Sequence, residues 1–442
     1  MLIRRLCAPL HRHVCGCGAA APDPIRPSRV LSRPLSKKKE EKKKVPHIPV
    51  MKEEVLGLWL PATLADADAD DPICLVDGTV GFGGHTLAAA SAARAAGRRV
   101  RVLGIDRDAS VRTSFETAAA AASQAGAGRR LVFHHGSFAD VSPALLARHA
   151  FPPRVHGILL DCGVNSHQLD VARRGFSYRR DGPLDMRFDA PTAARDDREP
   201  QRSTATTTAQ DIVNGRSAAA LAALFRTHAD EPRAEEIAAA IVECRSALRD
   251  RHGQKKGAPG MRTALELRCA VEEALERARA AEGRPPSRKE IAGRDAFRNL
   301  CLRRRPPGQK RPRPKDVPRA RKLYENARTP HADALARVFQ ALRIATNDEL
   351  GHLRSVFRRG EGGAARCLAP GGRLVVLAFQ PGEDAIVREG MAALVATGDF
   401  RHATPSPEGE EDGDRARRPT REEVKANGRA RTARLRAVER VR

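Results

Sequence analysis

Residues 75–86 read LVDGTVGFGGHT. An apolar run ends at an acid, Asp77, a glycine-rich loop follows, and the alanine-rich run LAAASAARAA (87–96) comes next. That order describes a strand, a tight turn and a helix, and glycines in such a turn let backbone approach a ligand closely. The same rhythm extends outward. ICLVD (73–77), VRVLGID (100–106), LVFHHG (131–136) and HGILLDCG (156–163) read as strands. Helices are predicted from about Gly84 to Ala96 and over 109–125. Alternating strands and helices predict an α/β fold, a doubly wound parallel sheet covered on both faces. Ligands of such sheets bind beyond the carboxyl ends of the strands, where Asp77, Asp106 and Asp161 all fall.

The rhythm stops after 163. No strand is predicted between about 164 and 330, but SAAALAALFRTH (217–228) and EEIAAAIVECRSAL (235–248) read as helices. Between about 279 and 330 the chain is basic and proline-rich, a composition that predicts a disordered insertion. A helical stripe returns over 334–357, and LAPGGRLVVLAF (368–379) reads as a turn and a buried strand. The expected organisation is an address and basic linker (1–45), a first sheet part (46–163), a helical insertion (164–332), a second sheet part (333–402) and a charged loop with a basic C-terminal tail (403–442).

The first loop carries Gly81, Gly83 and Gly84, but a dinucleotide fingerprint would need a third glycine where Thr86 stands. An acid just before the loop favours a ligand with a cationic end, and S-adenosyl-L-methionine carries an ammonium and a sulfonium. Asp106 is placed to accept from ribose hydroxyls, though an ordinary helix cap would use the same residue type. Phe138 either lies against an adenine or packs in the core. The loop after the fourth strand offers Asp161 and Asn165 as acceptors for the hydrogens of an exocyclic amine, where alignment carries most of the rate. A turn held by Asx hydrogen bonds is the alternative. Downstream, Phe176 and Tyr178 stand among Arg173, Arg174, Arg179 and Arg180, with Arg187 beyond. Aromatic rings flanked by arginines suit an extruded base and its phosphates. A packed loop tied to Asp181, Asp185 and Asp189 reads equally well.

Of 442 residues, 79 are Lys or Arg and 54 are Asp or Glu, a formal charge of +25. The excess favours a polyanionic partner, although arginine and alanine codons of a GC-rich genome would produce the same balance. Nine cysteines without a CxxC pair argue against a disulfide framework or a metal site. No apolar run reaches the roughly 20 residues a bilayer span needs. Residues 1–44 are rich in Arg, Ala and Ser, with Asp23 the only acid before Glu40. They read as an organelle transit peptide, mitochondrial or plastid, with the early MLIRRL favouring mitochondria.

Several stretches together resemble the S-adenosylmethionine-dependent methyltransferases that modify N4 of a cytosine in small-subunit ribosomal RNA of bacteria and organelles. They include HIPVMKEEVL (47–56), VDGTVGFGGHT (76–86), GIDRD (104–108), GILLDCGVNSHQLD (157–170) and RGFSYRRDGPLDMRFD (174–189). RTALEL (262–267), FQALRIATNDEL (339–350), LAPGGRL (368–374) and NGRARTARLRAVER (427–440) continue the match. The resemblance implies a class I, Rossmann-like methyltransferase domain split by a helical insertion. It also implies cofactor contacts at Gly83, Gly84, His85, Asp106, Phe138, Asp161 and Gln168, and small-subunit rRNA as partner. The chain departs from the family pattern at Asn165-Ser166, where a Ser pair is usual. It departs again at AFQPGEDAIVR (378–388), where SFHSLEDRIVK is typical, and at TPHADALAR (329–337). Two rivals stay open: an inactive rRNA-binding assembly factor on the same fold, and, less favoured by the loop, a nicotinamide-dependent oxidoreductase.

Overall fold

The computed structural model describes residues 49–60, 71–124, 129–190, 207–251, 260–284, 322, 324–325, 329–358, 363–404 and 415–442. The transit-peptide reading and most of the basic insertion lie outside these residues. Seven strands form one sheet: β1 (Ile73–Asp77), β2 (Val100–Asp106), β3 (Arg129–His135), β4 (Val155–Asp161), β5 (Leu368–Ala378), β6 (Phe400–His402) and β7 (Arg434–Arg440). Their order is β3-β2-β1-β4-β5-β7-β6. The pairs among β1 to β5 are parallel, and β7 runs antiparallel to β5 and β6. The strand order turns back between β1 and β4, which opens the crevice where such sheets bind ligands.

All five β1 residues are buried, as a central strand with both faces covered requires. Leu75 faces one side with Trp59 and Ala93, while Cys74 and Val76 face the other with Leu145 and Val387. The glycine loop then leads into α2 (Gly84–Ala95). Its cap, Gly83, has φ +83°, a left-handed conformation open to glycine at little cost.

The helical insertion has a core of its own. α6 (Ala209–Gly215), α7 (Ala218–Ala229), α8 (Ala234–Arg251), α9 (Ala264–Ala281) and α10 (Ala332–Asn347) contribute to it. The stripe over 334–357 is two helices, not one. Asp348, at φ +48°, ends α10, and α11 (Glu349–Val356) starts anew. Asn347 is held across that break, donating from Nδ2 to the carbonyls of Arg343 and Met186 at 2.9 and 2.7 Å.

The C-terminal segment corrects the sequence reading. The expected basic tail contains β7, with Leu435, Ala437 and Val438 fully buried. Its arginines are committed within the fold: Arg434 and Arg436 both donate to Asp384 at 2.7 Å. Arg440 donates to the carbonyls of Arg366 and Leu368. Charge alone hid the alternation of apolar and basic residues that marks a strand. Residues 421–426, expected in the charged loop, form a short helix.

Candidate active site

The carboxyl ends of β1, β2 and β4 bring the three acids to one edge of the sheet, each in a different setting. Asp77 is buried, and its carboxylate accepts from Thr86 Oγ1 at 2.7 Å and from the Thr79 amide at 3.2 Å. It therefore anchors the glycine loop, which corrects the reading of Asp77 as the acceptor of a cationic ligand end. Burial pushes its carboxyl up to about 6. Asp106 is half-buried and accepts from the Gly81 and Asp108 amides, both at 2.8 Å. Burial pushes it up to about 7. A carboxylate has about four acceptor positions, so Asp106 keeps capacity for ligand hydroxyls.

Asp161 has a quarter of its side chain exposed. Its amide donates to Thr79 Oγ1 at 2.6 Å, which ties the ends of β1 and β4 together. Beside it stands His85 on the first turn of α2, with Nε2 3.7 Å from Asp161 Oδ2. His85 is 6% exposed, and neither ring nitrogen has a hydrogen-bond partner. Buried polar groups are nearly always satisfied, so this imidazole has capacity for a ligand's polar group. Phe138, after β3, is half-buried and sits edge-on to His352. Its Cβ lies close to Gly78, where any side chain would collide with it at 2.7 Å.

The remaining sequence candidates have other duties. Asn165 caps the short helix α5 (Ser166–Asp170), its Oδ1 accepting from the Gln168 amide at 2.9 Å. The turn held by an Asx bond is the reading that the geometry favours. Gln168 is buried, donating from Nε2 to Asp108 at 2.9 Å and accepting from the Asn165 amide at 3.1 Å. Phe176 lines the same cleft as Tyr178 and Arg179, although most of its ring is packed away. It is 5% exposed and stacks on Phe188 with ring centroids 5.6 Å apart. Arg187 makes a bidentate pair with Asp185, both distances 2.8 Å, which holds its guanidinium above its ordinary pKa and neutralises it locally. Tyr178 and Arg179 do line an open cleft.

Sequence reasoning set Arg174 among the arginines beside an extruded base and did not pair it with Asp108. Arg174 donates to the Asp108 carboxylate at 2.9 and 3.1 Å and to the carbonyls of Arg187 and Phe188. Burial would raise the Asp108 carboxyl, but the Arg174 charge and the hydrogen bonds from Ser110, Arg174 and Gln168 outweigh it and hold it low. The loop 174–189 is thus a clasp from β2 to the insertion. Its backbone is tight: a Cβ on Gly175, at φ +73°, would lie 2.1 Å from the Pro183 carbonyl oxygen. The acids at 181, 185 and 189 were a signal that the arginines are partly spoken for. The altered text after β5 also keeps its local structure. Glu383 accepts from the Phe379 and Gln380 amides, and Pro381 occupies the start of a helix (Pro381–Val395), where its missing N–H costs nothing.

Among the described residues no group of His, Cys, Asp and Glu is arranged to hold a metal, and no helix is long and apolar enough to cross a membrane. The arrangement offers a buried, unpartnered imidazole and two ligand-accessible carboxylates around a glycine turn, which suits a nucleoside with a cationic arm.

Comparison with known proteins agrees. A sequence profile of the MraW methylase family matches residues 44–291 and 317–441. The chain is 33% identical over 401 residues to the ribosomal RNA small subunit methyltransferase H of Hyphomonas neptunium, spanning 89% of this chain and 88% of that protein. The protein of the same name from Rhodospirillum centenum is 34% identical over 404 residues, 89% of this chain and 92% of the relative. The one from Heliobacterium modesticaldum is 31% identical, with 90% and 99% covered.

Proposed function

This chain belongs to the MraW methylase family, and on that premise we propose that it transfers a methyl group from S-adenosyl-L-methionine to the exocyclic N4 amine of a cytidine in organellar small-subunit rRNA. The observation that carries the reading is His85: two buried ring nitrogens without hydrogen bonds, with Nε2 3.7 Å from the partly exposed carboxylate of Asp161, at the crevice of a Rossmann-like sheet. The residues fit the cofactor. His85 and the backbone of Gly83 and Gly84 would hold its amino-acid arm, Asp106 its ribose hydroxyls, and Phe138 its base.

When bound, the cofactor supplies an electrophilic methyl carbon on a sulfonium centre. The chain's own part is alignment. Asp161 would accept a hydrogen of the cytosine amine, aim the nitrogen lone pair at the methyl carbon, and take the proton released when the N–C bond forms and the sulfonium–carbon bond breaks to leave a neutral thioether. Holding two reactants in line replaces most of the need for a strong base. Asn165 and Gln168 act on this step by holding the backbone that follows Asp161.

The experiment is incubation of the protein with small ribosomal subunits from mitochondria and from plastids lacking it, with labelled S-adenosylmethionine, followed by mapping of the modified base. Label on N4 of a cytidine supports the reading; label on another atom, or none, removes it. The alternative of an inactive assembly factor is supported instead if knockout rRNA keeps its methylation while subunits assemble poorly. A reporter fused to residues 1–44 decides the compartment, mitochondria being the favoured one.

A further inference from the structure

A cleft of about 830 Å³ opens beside the loop that follows Asp161, with Val164, Leu169 and Asp170 on one wall. Four further parts of the chain build the rest: residues 176–180, Lys322 and Glu325 at the far side of the basic insertion, α10 from Ala336 to Arg343, and Arg429 in the turn before β7. Tyr178 is half-buried, its ring edge-on to Phe339 on α10, with the Arg179 guanidinium 5.7 Å from its centroid. Two of the cations are partly compensated, Arg180 by Asp170 at 3.6 Å and Lys322 by Glu325 at 2.8 Å. Arg179 and Arg429 have no carboxylate partner among the described residues and face solvent.

Building on the methyltransferase reading, we propose that this cleft receives a single-stranded stretch of RNA, with a base stacked on Tyr178 and phosphates held by Arg179 and Arg429. The volume is that of a small-ligand pocket, roughly 300–1,000 Å³. It admits a short extruded stretch and not a double helix. An aromatic ring sharing a cleft with uncompensated guanidinium groups is how single strands are held without duplex geometry. The cleft borders the loop that follows Asp161 at Val164. Of the basic C-terminal stretch, Arg429 is placed here while Arg434, Arg436 and Arg440 are used within the fold.

The test uses the full chain and a fluorescent single-stranded RNA oligonucleotide, with the same sequence as a duplex and polyglutamate as competitors, titrated over a range of salt. Arg179→Gln and Arg429→Gln should each lower the log–log salt slope by about 0.7. Tyr178→Leu should weaken binding roughly 10- to 100-fold and leave the slope unchanged, and Tyr178→Phe should restore it. S-adenosylmethionine affinity should stay at the wild-type value in all four variants, which shows that they are folded. If the wild type methylates subunits while every variant binds RNA as it does, the cleft assignment falls and the proposed function stands. If polyglutamate or duplex competes as well as the single strand, the cleft takes a different partner. If the wild type neither binds RNA nor transfers methyl, both readings fall.

Discussion

The Arg174 guanidinium meets the Asp108 carboxylate at 2.9 Å with both side chains almost wholly out of solvent. Asp108 lies two residues past Asp106, and its amide donates to Asp106 at 2.8 Å. Through Gln168 the same carboxylate reaches the loop of Asn165, and through Arg174 it reaches the carbonyls of Arg187 and Phe188. One buried acid therefore joins the end of β2, the loop after β4 and the start of the insertion.

Removing one partner of a buried ion pair costs about 3–5 kcal/mol because the other charge is stranded. We expect Arg174→Met to lower unfolding free energy in urea by an amount of that order. The double variant with Asp108→Asn should recover part of it. A loss below ~1 kcal/mol for the single variant would show that water or another group already serves Asp108.

His85 has no hydrogen bond to lose in the ligand-free protein. Replacing it with leucine, of similar bulk, should leave the urea midpoint at or above the wild-type value. The same variant should weaken S-adenosylmethionine binding by about tenfold or more, since a hydrogen bond to a charged group contributes roughly 1.5–3 kcal/mol. Calorimetry reads the affinity. Unchanged binding together with raised stability would mean that the imidazole never meets the ligand.

Burial raises Asp77 to about 6 and both Asp106 and Glu383 to about 7. These folded-state values lie above the ordinary ones, so the folded chain keeps protons that the unfolded chain has already released. Their contribution to stability is full below about pH 4 and is lost as pH rises to about 7. Asp108 has the opposite sign, since its pairing with Arg174 matters above its depressed value and is lost only in stronger acid. Ligand-free thermal midpoints should therefore fall between about pH 4 and 7. Affinity for S-adenosylmethionine should rise over the same interval, because ionised Asp106 is the better acceptor for hydroxyls. Asp106→Asn should flatten the pH dependence of affinity; a profile that keeps its shape in that variant would assign the titration to another group.

Asn165 tests capping against catalysis. Asn165→Ala should cost about 1 kcal/mol of stability and lower turnover, with cofactor affinity little changed. Asn165→Ser, which still caps, should restore both. Turnover that stays low in the Ser variant, with stability recovered, would give the amide itself a part in the reaction.

Much of the fold was legible because it rests on local periodicity. β1 and β2 fall where apolar runs ending in acids placed them, and α2 begins at the glycines that open its first turn. The misreadings came from charge. Arg434, Arg436 and Arg440 looked like a tail because basic residues mark exposed segments, yet between them Leu435, Ala437 and Val438 pair β7 into the sheet. The site was legible in residue type and less so in role. Asp161 and His85 meet at the crevice, whereas Phe176, Arg187 and Asn165 are absorbed by packing, pairing and capping.

Residue order alone determined the alternating strands and helices, the acids at the strand ends and the glycine turn, since each follows from backbone geometry within a few residues. Which carboxylate is buried, which is paired and which stays open was decided only by tertiary structure. Asp77, Asp106, Asp108 and Asp161 are the same side chain with ordinary acidity in water. Partners from Thr86, Arg174 and Gln168, brought from elsewhere in the chain, occupy Asp77 and Asp108 and leave Asp161 partly exposed beside the His85 imidazole.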